Sequence, residues 1–104
     1  MKLTGKAKED FGMWHFDRGT PIKEYKSFIE LSDTCINAVI IEFFDSVGIT
    51  IDVMPILNNP IKWMPNTFCI EKEITTEDAE YYETRNESIE KAIEKANEIY
   101  NELL

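Results

Sequence analysis

"FFDSVGI" (Phe43–Ile49) joins two stretches that can be read in opposite ways, and its reading decides the fold. If "AVIIEFFD" (38–45) is a strand, Ser46–Gly48 is a turn into a second strand, "ITIDV" (49–53). If "SDTCINAVIIEFFDSV" (32–47) is a helix, Gly48 is its left-handed end, followed by an apolar Ile49 able to pack back on the last turn. Strict alternation fails, because Val39, Ile40 and Ile41 are all apolar, as are Phe43 and Phe44. Helical spacing fits better. Cys35/Ile36, Val39/Ile40, Phe43/Phe44 and Val47 recur every four residues, while Glu42, Asp45 and Ser46 cluster opposite and Asn37 lies near the edge of that polar side. β-branched content argues for a strand, but propensity is the weaker guide. The spacing therefore predicts a helix over about Asp33–Val47, capped by Ser32 or Asp33 and about 22 Å long.

Beyond Gly48, "ITIDVMPI" (49–56) alternates as a strand, with Ile49, Ile51 and Val53 on one face and Thr50, Asp52 and Met54 on the other. Pro55 ends regular pairing or marks an edge. "LNNPIKWMPN" (57–66) reads as a loop from its asparagines and prolines. "TFCIEKEI" (67–74) reads as a second, antiparallel strand, with Phe68 and Ile70 opposite Cys69, Glu71 and Glu73. Within "TTEDAEYYE" (75–83), Tyr81 and Tyr82 suit a short third strand. Thr84 and Glu87 then make a capping box. Ile89, Ala92, Ile93, Ala96, Ile99, Tyr100 and Leu103 form one stripe, predicting a helix over about Arg85–Leu103, supported by a Glu87–Lys91 pair. Upstream, Leu3, Ala7, Phe11 and Trp14 recur at helical spacing with Thr4 as N-cap, up to "DRGT" (17–20). Thr20–Pro21 opens a short second helix carrying Ile22, Tyr25, Phe28 and Ile29. The expected fold is α+β in one domain over residues 1–104: N-terminal helices, a small antiparallel sheet of two or three strands, and a long C-terminal amphipathic helix packed on it.

Composition narrows the function. A chain of 104 residues with 43% apolar and 30% charged residues can bury one core. It has no long apolar run and no signal-like start, so a cytoplasmic location is expected. Cys35 and Cys69 are expected to be reduced and buried, and three Cys and His residues in total are too few for a structural zinc site. The net charge is −9. From Glu71 onward, eleven acids face four bases, a net of −7, against −2 before it. Direct nucleic-acid and anionic-membrane binding are disfavoured, and a protein partner with a basic surface is favoured.

The four glycines have no phosphate-loop spacing, and there is no G-x-S-x-G. His15, between Trp14 and Phe16, is the only available base for a nucleophile and reads as a surface or half-buried helix residue. Glu42, Asp45 and Asp52 could bring three carboxylates to a divalent cation, although so acidic a chain produces such trios by chance. No catalytic, cofactor-binding or metal-binding residue is assigned, and no cofactor is expected. In "IKWMP", Ile61, Trp63 and Met64 suit either a binding surface or a lid folded onto the small core, the lid being the commoner use. Glu90, Glu94 and Glu98 fall one turn apart on the outward side of the C-terminal helix, a spacing that loosely imitates phosphates. These six residues are the candidate partner contacts.

"MKLTGKAKEDF" (1–11), "NAVIIEFFDSVGI" (37–49) and "YYETRNESIEKAIEKANEIYN" (81–101), 45 residues together, resemble a group of small proteins encoded by phages and prophages of anaerobic gut bacteria. The resemblance implies a shared fold and a phage accessory setting inside a bacterial host cell. It carries over no functional residue. The expected function is a non-enzymatic acidic accessory protein acting by protein–protein interaction. A narrower alternative is a nucleic-acid-mimicking inhibitor of a host defence protein, and a third is a metal-dependent enzyme built on the carboxylate trio.

Overall fold

The computed structural model describes residues 3–17, 33–56, 60–69, 71–77 and 81–103. In chain order the elements are helix α1 (Gly5–Asp17), helix α2 (Asp33–Ser46), strands β1 (Ile49–Ile56), β2 (Lys62–Cys69) and β3 (Ile74–Glu77), and helix α3 (Arg85–Leu103). The expected helix at Thr20–Ile29 lies outside the described residues, as do the N-cap candidates Ser32 and Asp33 in their side chains. The fold is α+β, with the C-terminal helix packed on an antiparallel sheet of order β1-β2-β3.

"FFDSVGI" is a helix end feeding a strand. Val47 N–H donates to Phe44 O at 3.1 Å and Gly48 N–H to Asp45 O at 3.3 Å. Ser46 Oγ caps Phe43 O at 2.6 Å. Gly48 has φ +86°, and Ile49 is fully buried immediately after it. The two phenylalanines are the hub of the core. Phe43 makes an edge-on contact with Phe11 of α1 at 5.5 Å and with Trp14 at 5.6 Å, and meets Tyr100 of α3 at 5.7 Å. Phe44 meets Tyr100 at 6.3 Å.

The α2 stripe is Ile36, Ile40, Phe43 and Phe44, with Asn37 also buried. This corrects two expectations. Cys35 is exposed rather than buried, because the true helical period is 3.6 residues and carries it off the stripe. Asn37, expected near the polar side, sits inside for the same reason. Cys69 is buried.

The sheet departs from expectation at "LNNPIKWMPN". Lys62–Asn66 belong to β2, not to a loop, and Ile49↔Cys69 through Ile56↔Lys62 pair without interruption. The prolines concealed this, yet both are accommodated. Trp63 turns its N–H and C=O toward Tyr82, at 2.8 and 2.9 Å, so Trp63 and, two residues on, Pro65 point no donor at β1. Their partners Pro55 and Val53 therefore point their own polar groups outward, and Pro55 sits on an edge strand where its missing N–H faces no neighbouring strand. On the other side, Pro65 falls between the Trp63–Tyr82 bridge and Asn66↔Glu77, where the β3 ladder begins.

β2 stops at Cys69 instead of running to Ile74. A turn at Glu71–Glu73, with Glu73 at φ 54°, leads into β3, so the third strand is Ile74–Glu77 and Tyr82 adds a single bridge. Alternation places Ile49, Ile51, Val53, Pro65, Thr67 and Cys69 on the face toward the helices. Thr67 Oγ1 donates to Ala92 O of α3 at 3.0 Å, tying sheet to helix.

Helix α3 has the predicted bounds. Thr84 Oγ1 accepts the Glu87 N–H at 3.1 Å, and Ala92, Ile93, Ala96, Ile99 and Tyr100 are buried. The ion pairs on its outer side are Lys91–Glu94 and Lys95–Glu98 rather than Glu87–Lys91. Thr4 precedes α1 as expected, but the cap is supplied across the fold. Asn101 Oδ1 accepts the Ala7 N–H at 2.8 Å and Asn97 Oδ1 the Thr4 N–H at 2.9 Å. Asn97 Nδ2 donates to Thr4 Oγ1 at 3.0 Å and Asn101 Nδ2 to Thr4 O at 3.0 Å. Gly5, at φ +57°, admits this approach, since a Cβ there would stand 3.3 Å from the Asn101 amide.

Candidate functional site

Three elements meet at the start of α3. β2 brings Trp63, the segment before α3 brings Tyr81 and Tyr82, and the first turn of α3 brings Arg85. Trp63 is half-buried, bridged to Tyr82 through its backbone, and the Arg85 guanidinium lies over its ring at 5.7 Å. It is thus neither a lid sealed into the core nor a free loop side chain; a strand register and a cation hold it. Ile61, just before β2, is 51% exposed, and Tyr81, just before the bridge, is 52% exposed. Both are therefore large apolar side chains left in water at the same end of the sheet. Met64 is half-buried on the opposite face of β2, across from Met54, which is 44% exposed.

On the other side of Arg85, a cavity of about 290 Å³ opens between α2 and α3. Asn37, Ala38 and Ile41 line it from α2, and Arg85, Asn86 and Ile89 from α3. Asn37 is 7% exposed, and its Nδ2 has no hydrogen-bond partner. Sequence reasoning passed over both Asn37 and Arg85. Arg85 was legible as the first helical residue after the Thr84 cap, beside a bridge that spacing alone does not reveal.

The carboxylate candidates lie elsewhere. Glu90 and Glu94 are half-buried and Glu98 is exposed along α3, beyond the first turn that carries Arg85. Lys91 Nζ is 3.3 Å from Glu94 and Lys95 Nζ 3.4 Å from Glu98. The row is a ladder of alternating charge. Among the described residues, no three His, Cys, Asp or Glu side chains gather closely enough to hold a metal ion, so Glu42, Asp45 and Asp52 do not form the trio considered from sequence. His15 stacks on Phe11 at 5.9 Å, nearly parallel. No described helix is long and apolar enough to cross a membrane.

Among the described residues, Tyr100 carries a marked pKa displacement. Burial, then its hydrogen bond to Asp10 at 2.5 Å and that carboxylate's charge, push it from 10.0 up to about 12. Lys6 lies over the same ring at 5.7 Å. This cluster fastens α1 to α3 within the core and faces no cavity described above.

Comparison with known proteins gives no match to any family model, curated protein or solved structure.

Proposed function

We propose that the protein is a non-enzymatic binding protein whose partner seats on the Trp63 corner. The observation that carries this is the exposure of two large apolar residues, Ile61 just before β2 and Tyr81 just before the bridge, at the end of the sheet where Trp63 is held by Tyr82 and Arg85. A pre-positioned aromatic beside exposed apolar groups is the arrangement found at interface hot spots. Its rigidity lowers the entropy lost on association. The net charge of −9 favours a partner with a basic surface, met faster through long-range attraction.

The phage accessory setting rests on the resemblance of three stretches that cover the first part of α1, most of α2 and most of α3. Lysines interleaved with Glu94 and Glu98 lend little to a nucleic-acid mimic, and we assign the acidic face to steering rather than to imitation.

The test compares proteins captured from a bacterial host by the wild type and by the Ile61→Asp, Tyr81→Asp double variant. Both positions are exposed, so the fold is retained, as a matching thermal melt will show. A partner held by the wild type and lost by the variant is the expected result. Identical capture by both sinks the reading.

A further inference from the structure

β1 has one neighbour in the sheet, β2, and presents a free edge along its other side. The bonds from Trp63 to Tyr82 fix what that edge offers, because a strand's backbone groups alternate between its two sides. Thr50, Asp52 and Met54 turn theirs toward β2, and Ile51, Val53 and Pro55 turn theirs away from it. Among the described residues, none bonds the Ile51 N–H or C=O, or the Val53 C=O. The Val53 N–H donates to the Asp52 carboxylate, Oδ1 at 2.9 Å, and Pro55 has no N–H. The edge is therefore shut at two donors and open at Ile51. Asp52 is exposed, on the face away from the helices, and has no cation partner among the described residues.

Unpaired backbone groups along a strand are a template for another strand. A second copy of the chain fits poorly. Each copy has a net charge of −9. Pairing Ile51 with Ile51 or Val53 of a second copy also sets the two Asp52 carboxylates diagonal or directly opposite, about 8 Å apart or less, where like charges repel. A strand bearing lysine there meets attraction instead, and its cation draws Asp52 off the Val53 N–H, freeing that donor for the ladder.

We propose that the open edge of β1 takes an extended, lysine-rich segment of a protein partner as an added antiparallel strand. Residues of the segment opposite Ile51 and Val53 bond to their backbones and place side chains on the helix-bearing face. The alternate residues, opposite Thr50 and Asp52, carry the lysines and lie beside the Asp52 carboxylate. This edge is on the far side of β2 from Tyr82, so it is distinct from the Trp63 corner.

The probe is a short peptide alternating valine with lysine, acetylated and amidated. N-methyl groups on its lysine backbone nitrogens keep it from building a sheet of its own. It is titrated into the ¹⁵N-labelled full chain, and the Ile51 and Val53 amides are followed by chemical shift and hydrogen exchange. Saturable shifts are expected at concentrations on the order of 1 mM, with Ile51 exchange slowed about tenfold when nine-tenths of the chain is bound. Moving the N-methyl groups to the valines removes the donors that face β1 and should abolish binding. Glutamate in place of lysine should weaken binding about tenfold. Asp52→Asn keeps the oxygen that accepts from Val53, at an exposed position, and should narrow the preference for lysine to about threefold or less. Equal binding of the valine-methylated peptide, shifts that miss Ile51 and Val53, or equal binding of the lysine and glutamate peptides by the wild type overturns the proposal. Ile51 protection that grows with protein concentration in the absence of peptide makes a second copy the occupant, and overturns it too.

Discussion

At the scale of single residues, Gly48 and Phe43 set the hinge between helix and sheet. Gly48 sits at φ +86° with nothing within 4 Å of where a Cβ would be, so a side chain there meets no clash and the cost of one is conformational. Gly48→Val is expected to lower stability by at least about 1 kcal/mol, since a β-branched residue resists that region; urea titration measures it. Phe43, 1% exposed and touching rings from α1 and α3, is a larger loss. Phe43→Ala should cost about 3–5 kcal/mol in the same assay. Trp63→Ala, at a half-buried site with one cation over the ring, should cost less, about 1–3 kcal/mol, and a melt unchanged from wild type would remove the Arg85 contact from the account.

At the scale of elements, the Asn97–Asn101 pair and Tyr100 hold α1 onto α3. Asn97→Ala leaves the Thr4 N–H without its acceptor and should cost about 1–3 kcal/mol, with amide exchange quickening first in α1. Tyr100 gives this junction a pH dependence. Its pKa is raised on folding, so its contribution is complete below about pH 10 and is lost as the pH climbs toward 12, where the unfolded chain ionises more readily than the folded one. The unfolding midpoint should fall across that window, and Tyr100→Phe should flatten the fall. Periodicity carried most of this layer. Helices α2 and α3 and strand β1 are legible because each buries one face, and burial imposes a period. β2 is less so, because Pro65 and the asparagines signal a loop, and only the parity of pairing across β1 and to Tyr82 shows why a strand accepts them. The site residues divide the same way. Trp63 stands out by composition, whereas Asn37 and Arg85 share a cavity that joins residues 37 and 85 and leaves no trace in either local pattern.

At the scale of the whole molecule, charge and shape act separately. The −9 charge is spread over a surface where exposed Glu–Lys pairs are worth little to stability. Replacing Glu90, Glu94 and Glu98 with Gln should leave the melt nearly unchanged while slowing association with a basic partner at low salt and reducing its salt dependence, as stopped-flow mixing would show. Equal rates for variant and wild type across salt concentrations would remove the acidic face from the encounter. The clamp on α1 has a further consequence, in the order of events during synthesis. Thr4 lies 93 residues from Asn97 and 97 from Asn101. A ribosome delivers α1 more than 90 residues before its clamp. Until α3 has been made, the face bearing Ala7 and Phe11 lacks the helix it docks on, so α1 is secured well after it is synthesised.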